Sequence, residues 1–227
     1  MVFDRIDELC GMNVLVIAAT ERELIGIKEI SFTRPSVMVH TAVTGVGLMP
    51  STYAIIQLIA KSKPDMIIQV GIAGSFNPSL ALGTAVTVER EIPADMGVFE
   101  KEGYRDIFEL GLAEKNMPPF EQGAILNHHQ TLLEALALPA VSAVSVNEIS
   151  TSTEKINLFS EKYKADIESM EGAALHYVCA LQHIPFVQIR GISNKVGERD
   201  KAKWKISESL LAATNACINL INKIQLP

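Results

Sequence analysis

The sequence predicts an α/β fold in which a mostly parallel sheet is covered by helices on both faces. Short continuous apolar segments, each about as long as one buried strand, alternate with segments of helical periodicity. Several of the strand-like segments end in glycine turns or polar clusters, where open α/β sheets place their ligands. The 227 residues are most simply one domain, assigned to 12–227, after an N-terminal extension at 1–11.

The first half of the chain alternates between the two kinds of element. The predicted elements are a strand at 14–19, a helix at 21–30, a strand at 37–43, a helix over 53–60 that could begin at Pro50, and a strand at 66–70. Glycine turns at 44–47 and 71–75 close the second and third of these strands.

The second half continues the pattern after a polar interruption. Its predicted elements are a strand at 84–91, strands near Ala124 and Val141, a helix opened by Met170-Glu171, a strand at 186–189 and a C-terminal helix at 202–224. Residues 93–119 are more polar and contain glycine and proline, which predicts loops lying over a site.

The composition argues against several classes of protein. A net charge of −6 gives no long-range attraction to nucleic acid, so no nucleic-acid partner is expected. No apolar run reaches the roughly 18–20 residues of a membrane span, and the N-terminus lacks the apolar region of a signal peptide. Cys10, Cys179 and Cys217 are widely spaced, which argues against a disulfide framework or a zinc site. We therefore expect a cytoplasmic protein without a membrane partner.

Four polar residues are candidates for chemistry. Glu171 interrupts small apolar residues, so its carboxylate needs partners or a shifted pKa, and the two hydroxyls of a sugar would be suitable partners. Arg190 follows the strand segment 186–189, in which three of the four residues are apolar, and needs an anion nearby, while Asn194 adds an amide. Together they could hold a polar ring and its sugar, or Arg190 and Glu171 could form a buried structural ion pair. Glu23, just after the first strand, is either catalytic or a solvated helix charge.

Other patterns are less specific. The glycine turn at 44–47 could belong to a dinucleotide-binding loop, but Pro50 stands where that motif requires its last glycine. We interpret it as a tight turn beneath a ligand pocket. The adjacent pair His128-His129 points to different sides, which favours a surface loop over a metal site. Ser145 and Ser193 lie in no nucleophile motif, so Ser-His-Asp hydrolysis is not predicted.

Four segments, taken in order, resemble the nucleoside phosphorylase/nucleosidase superfamily. They are Thr44-Gly45-Val46-Gly47, Gly71-Ile72-Ala73-Gly74, Met170-Glu171-Gly172-Ala173-Ala174 and Arg190-Gly191-Ile192-Ser193-Asn194. The resemblance implies a three-layer α/β/α sandwich around a twisted mixed central sheet, acting on the N-glycosidic bond of a nucleoside. It implies no metal and no organic cofactor. Members are commonly dimers, so a homodimer or larger homo-oligomer is expected.

Within the superfamily the resemblance favours hydrolysis over phosphorolysis. Hexameric phosphorylases hold phosphate with an arginine and a serine where this chain has Gln69 and Ile72, neither of which can bind a phosphate dianion. The methylthioadenosine/S-adenosylhomocysteine nucleosidases have a glutamate at the position of Glu23, and a carboxylate can take a proton from water.

The residue at position 194 bears on the choice of base. Adenine-specific nucleosidases have an aspartate where this chain has Asn194. The NH₂ donor and carbonyl acceptor of asparagine suit a 6-oxopurine, with the donor on O6 and the acceptor on N7–H.

Residues 194–200 and 203–206 resemble futalosine hydrolases, a branch whose substrate is a hypoxanthine nucleoside of an alternative menaquinone route. Futalosine carries a benzoate on its 5′ chain, for which Arg199, Lys203 and Lys205 are candidate partners. The alternative is an adenine nucleosidase acting on methylthioadenosine, S-adenosylhomocysteine or aminodeoxyfutalosine. A non-catalytic nucleoside-binding protein is a more remote one.

The resemblance also implies the role of each site residue. Glu23 activates the water, Glu171 binds the 2′- and 3′-hydroxyls, Met170 packs beside the sugar, Asn194 binds the leaving base, and Arg190 helps to place Glu23 or the water. The other substrate-binding candidates are Gly71, Ile72, Ile149 and Ser193.

Overall fold

The computed structural model describes residues 11–29, 36–101 and 103–224 and is built on a mixed sheet of eight strands. The strands of this sheet are β1 (Met12–Ala18), β2 (Val37–Val43), β3 (Met66–Ser75), β4 (Ala85–Pro93), β7 (Ile125–Leu126), β8 (Ala140–Ser145), β9 (Ile167–Ser169) and β10 (Phe186–Lys195). A separate hairpin is formed by β5 (Gly97–Glu100) and β6 (Gly103–Asp106). The helices are α1 (Glu21–Lys28), α2 (Leu48–Ser62), α3 (Gln130–Leu136), α4 (Thr153–Lys162), α5 (Gly172–Gln182) and α6 (Ile206–Lys223), with a 3₁₀ turn at Lys201–Lys203.

The helices cover the sheet on both faces. Alternate side chains of β1 point to opposite sides, as the period of a strand requires. Leu15 and Ile17 pack with α2 and α5 on one face, and Val14 and Val16 pack with α1, α3 and α6 on the other. The expected α/β/α sandwich with a mixed sheet is therefore confirmed.

One half of the sheet closes on itself, which the sequence did not predict. Strand β10 pairs in parallel with β3 and antiparallel with β4, while β8 and β9 complete the path from β4 back to β3. These strands therefore form a ring, and each contributes at least one small or branched side chain to a shared apolar cluster. The other half, with β1 and β2, stays open.

Strands β3 and β10 are longer than predicted. Gly71–Ser75 was predicted as a turn but continues β3, and residues 190–194 lie within β10 rather than after it. The glycines at 71, 74 and 191 do not have positive φ. They allow close packing against neighbouring groups, because a Cβ at Gly191, for example, would overlap the carbonyl of Ser209.

Other expectations need smaller corrections. Residues 93–119 contain the β5–β6 hairpin, and none of the described residues in this range lines the candidate pocket described below, so the prediction of loops over the site is wrong. The last helix begins at Ile206, after the 3₁₀ turn, rather than at 202. Residues 1–10 of the proposed extension and position 30 of the first predicted helix lie outside the described residues.

Among the described residues, no helix is long and apolar enough to cross a membrane. Cys179 and Cys217 are buried free thiols in the two helical layers, and Cys10 is outside the described residues.

Candidate active site

A pocket of about 290 Å³ lies at the carboxyl ends of the parallel strands β1, β3 and β10. All of the predicted site residues line it except Gly71 and Arg190. Those two lie directly beneath, since both are buried and they pair in register across β3 and β10. The pocket thus occupies the edge at which open α/β sheets bind ligands.

Glu23 is held by the start of α1. Its Oε2 accepts hydrogen bonds from the backbone N–H and the hydroxyl of Thr20, at 2.9 and 2.8 Å, which completes a capping box. Its Oε1 lies 3.4 Å from the N–H of Ile72 in β3. One carboxylate oxygen is therefore fixed by the helix while the other is presented at the floor of the pocket.

Arg190 is the cation beneath this floor. Its side chain is almost fully buried, its Nη2 donates to Gln69 Oε1 at 2.8 Å, and its Nη1 lies 3.7 Å from Glu171 Oε2. A Cβ at Gly71 would overlap Arg190 Nη1 and lie 2.9 Å from Glu23 Oε1. The guanidinium thus forms the ion pair with Glu171 that the sequence left as one alternative, and both Arg190 Nη1 and Glu23 Oε1 border the space over the bare backbone of Gly71.

Glu171 caps the N-terminus of α5 and is 94% buried. Its Oε1 accepts the N–H of Gly47, at 3.1 Å, across the mouth of the glycine turn. Gly47 has φ +91, a conformation that glycine adopts without strain. Burial raises the pKa of Glu171, and Arg190 and the Gly47 N–H oppose that rise. The turn at 44–47 therefore holds Glu171 through Gly47 and contributes Val46 to the pocket wall, rather than lying beneath the pocket.

The amide of Asn194 is oriented by two neighbours. Its Oδ1 accepts from the Ser193 hydroxyl at 2.7 Å, and its Nδ2 donates to the Lys195 carbonyl at 2.8 Å. A flipped amide would turn its oxygen towards the Lys195 carbonyl oxygen, so this orientation is the favourable one. One N–H and one oxygen lone pair of the amide are left for a ligand. Ser193, predicted to bind substrate, uses its hydroxyl to orient Asn194.

Met170 and Ile149 give the pocket its apolar walls, and Ile149 remains 41% exposed. Of the candidate cations for a 5′ carboxylate, Arg199 lines the pocket and stacks over Trp204, with its guanidinium carbon 5.7 Å from the ring centre. Lys203 pairs instead with Glu198, at 2.9 Å, and Lys205 with Glu208, at 3.2 Å. The structure thus brings Arg199 into the site and leaves the two lysines outside it.

Several lining residues were missed by sequence reasoning. Thr20 could have been found, since Thr20-x-x-Glu23 is a capping-box pattern. Arg22 also lines the pocket, and it makes no ion pair with another described residue. Glu168 is buried, its Oε1 accepts the Ser150 N–H at 3.0 Å, and burial raises its pKa. No local pattern distinguishes Glu168 from an exposed strand glutamate.

Comparison with protein families agrees with the resemblance stated from the motifs. The model of the phosphorylase superfamily matches residues 18–224. A futalosine hydrolase from Thermus thermophilus is 29% identical over 181 residues, covering 78% of this chain and 79% of that protein. A 5′-methylthioadenosine/S-adenosylhomocysteine nucleosidase from Bacillus pumilus is 26% identical over 191 residues, covering 80% of each.

Solved structures share the fold. The futalosine hydrolase of Helicobacter pylori strain 26695 aligns with a TM-score of 0.79 at 16% identity, covering 94% of this chain and 98% of that one. A 5′-methylthioadenosine/S-adenosylhomocysteine nucleosidase from the same species, with butyl-thio-DADMe-Immucillin-A, aligns with a TM-score of 0.80 at 16% identity, covering 94% and 99%. At these identities the likeness concerns the fold alone.

Proposed function

Because the chain belongs to the phosphorylase superfamily, we propose that it hydrolyses the N-glycosidic bond of futalosine and releases hypoxanthine. The relatives reported above are named hydrolases or nucleosidases, and this chain is assigned to the same class, the N-glycosyl hydrolases acting on nucleosides. The choice of futalosine as the substrate within that class is argued from the residues of the pocket.

The observation that carries hydrolysis is the carboxylate of Glu23 at the pocket floor. Its Oε1 lies 3.4 Å from the N–H of Ile72 and borders, with Arg190 Nη1, the space over the bare backbone of Gly71. A phosphate dianion placed there would be repelled by Glu23, and Gln69 already accepts from Arg190. A water molecule can instead give its proton to Glu23 Oε1 as it attacks the anomeric carbon.

The ribose is assigned to Glu171 and Met170. A carboxylate with one oxygen bound to Gly47 and the other near Arg190 keeps lone pairs for the 2′- and 3′-hydroxyls. As positive charge develops on the sugar, the adjacent negative charge of Glu171 stabilises it. Met170 lines the same wall and packs beside the ring.

The base is assigned to Asn194. Its remaining N–H donates to O6 of hypoxanthine, and its remaining lone pair accepts from N7–H of the protonated leaving base. Asparagine holds no transferable proton, so the proton on N7 comes from water or another group. Ile149 and the segment around it close over the ring.

Two arginines that line the pocket favour a substrate with an anionic group on its 5′ chain. Arg199 and Arg22 line the pocket, and neither forms an ion pair with another described residue. The benzoate of futalosine would place its carboxylate near Arg199 and its ring near Trp204. A 5′-methylthio group would leave both guanidinium groups unused.

A panel of nucleosides tests the proposal. Futalosine, aminodeoxyfutalosine, methylthioadenosine and inosine are incubated with and without phosphate, and the free base is measured by chromatography. We expect hypoxanthine from futalosine at a rate that does not depend on phosphate. Preferred release of adenine would favour the alternative, an adenine nucleosidase, which the similarity to the Bacillus pumilus protein supports.

The role of Glu23 is tested by Glu23→Gln. Loss of a general base is worth about 10²–10⁴-fold in kcat, and we expect a decrease of that size with ligand binding retained. Glu21→Gln is the matched control, because Glu21 is in the same first turn but pairs with Lys28 on the surface. Wild-type turnover in Glu23→Gln would remove Glu23 from the mechanism.

We also propose that the protein is a homodimer. Met49, Tyr53 and Ile56 are 83%, 69% and 48% exposed and follow one another at helical spacing along α2. This apolar stripe begins three residues after Val46, which lines the pocket. A second copy covering the stripe would bury it and would bring a partner close to the pocket mouth.

A further inference from the structure

A buried polar cluster lies behind Glu171, and the proposed mechanism uses none of its members. It consists of Glu91 in β4, Ser145 in β8, Gln188 in β10 and His176 in α5, and all four are fully buried. Burial lowers the pKa of His176 to about 3, so that the imidazole is neutral. Glu91 is thus the one acidic member of the cluster.

A directed chain of hydrogen bonds links Glu91 to the first turn of α5. The N–H of Ala173 donates to Ser145 Oγ at 2.9 Å, and the Ser145 hydroxyl lies 3.0 Å from Glu91 Oε1. A serine hydroxyl has a single hydrogen. Because its oxygen already accepts from Ala173, that hydrogen is donated to Glu91. The carboxylate therefore anchors a backbone N–H two residues after Glu171.

The other oxygen of Glu91 presses against the same turn. A Cβ at Gly172 would overlap Glu91 Oε2 and the amide of Gln188, so only glycine fits between them. Gly172 directly follows Glu171 and begins α5. An acidic group at this end of a helix is also favoured by the helix dipole. Both oxygens of Glu91 thus act on the two residues that follow Glu171.

We propose that Glu91 is a positioning residue, which acts through Ser145 and Gly172 to hold Glu171 against the ribose. Glu91 itself touches no substrate. The inference rests on the proposed function, because it takes Glu171 to be the ligand of the 2′- and 3′-hydroxyls. A carboxylate is costly to bury, and an apolar side chain of the same size would not provide the acceptor that Ser145 needs.

The test compares Glu91→Leu and Ser145→Ala, which break the chain, with Glu91→Gln, which keeps an oxygen acceptor. Thr87→Val is the matched control: Thr87 is also fully buried in β4, but its hydroxyl donates to the Gln188 carbonyl rather than towards α5. The first readout is the ratio of kcat/KM for futalosine to that for its 2′-deoxy analogue. A general loss of stability would lower both values and leave this ratio unchanged.

We expect the ratio to fall about tenfold or more in Glu91→Leu and Ser145→Ala, the size of effect of leaving a buried hydrogen-bond donor unpaired. Glu91→Gln and Thr87→Val should keep it within about twofold. An unchanged ratio in both chain-breaking variants, with the wild type discriminating, would overturn the inference. So would a wild type that hydrolyses both substrates equally, because Glu171 would then not read the 2′-hydroxyl.

The second readout needs no turnover. Hydrogen–deuterium exchange of the peptide containing Ala173 should be about tenfold faster in Ser145→Ala and Glu91→Leu than in the wild type or Thr87→Val. If the wild type hydrolyses no nucleoside, the proposed function has failed, and this measurement still decides whether Glu91 fixes the turn. Unchanged exchange in both variants would show that it does not.

Discussion

The buried carboxyl of Glu91 should make the stability of the protein depend on pH. Burial raises the pKa of Glu91 from its ordinary 4.5 to about 7, against the opposing effects of Arg190, Ser145 and Gln188. The folded protein therefore binds this proton more tightly than the unfolded chain does. The stability gained from the proton is fully present below about pH 4.5, declines as the pH rises, and is lost above about pH 7.

Glu91→Gln removes this dependence, because glutamine stays neutral while keeping the shape and one acceptor. Each pH unit between the two pKa values is worth about 1.4 kcal/mol, so the interval corresponds to about 3 kcal/mol. Relative to the wild type, the variant should thus gain about 3 kcal/mol in free energy of unfolding between pH 4.5 and pH 8.

Urea unfolding of both proteins at a series of pH values from 4.5 to 8 measures the effect. The quantity compared is the free energy of unfolding of the variant minus that of the wild type. Burial also raises the pKa of Glu168 and of Glu171, but both carboxyls are present in both proteins, so their effect cancels in the difference. Glu89→Gln, an exposed position on the same strand, is the control for the substitution itself. A flat difference for Glu91→Gln as well would refute the assignment of a buried carboxyl that is protonated near neutral pH.

Two further predictions concern specificity and assembly. Asn194→Asp should shift the ratio of kcat/KM values from 6-oxopurine towards 6-aminopurine nucleosides by about tenfold or more, because an aspartate without an NH₂ donor leaves O6 unpaired. The ratio is measured with futalosine and aminodeoxyfutalosine, and an unchanged value would contradict the assignment of Asn194 to the base. Tyr53→Glu should convert a dimer into a monomer in light scattering, because it places a charge in the exposed stripe of α2; a wild type that is already monomeric would refute the dimer.

Much of the fold was accessible to sequence analysis because the pattern is local. The strand at 37–43 has the predicted bounds, and the apolar runs of β1, β3 and β10 were found from their continuity. Glycine was the misleading signal. The glycines at 71 and 74 predicted a turn, but β3 continues through them, and the missing side chain of Gly71 leaves room for Arg190. The closure of β10 onto β4 joins residues about a hundred positions apart, and no local pattern carries it.

The candidate site divides in the same way. Glu23, Glu171 and Asn194 could be expected to meet, because each follows or ends a strand or helix at one edge of the sheet. Glu91 was not found, because a regular strand alternation would place it on the same side as Glu89. The pairing of β4 with β8 shifts between Val88 and Arg90, and this bulge leaves Glu89 exposed and Glu91 buried.

The ring formed by β3, β10, β4, β8 and β9 bears on how this site could change over evolution. Strands β3 and β10 carry Gly71 and Arg190, and each is hydrogen-bonded on both of its edges. A one-residue slip of either strand would turn its side chains to the opposite face and break two ladders at once. Insertions and deletions within these strands should therefore be eliminated, whereas those in the connecting loops are tolerated. On these strands, new specificities can arise only by exchanging side chains on a backbone that stays in place, whereas the loops that line the pocket can also change in length.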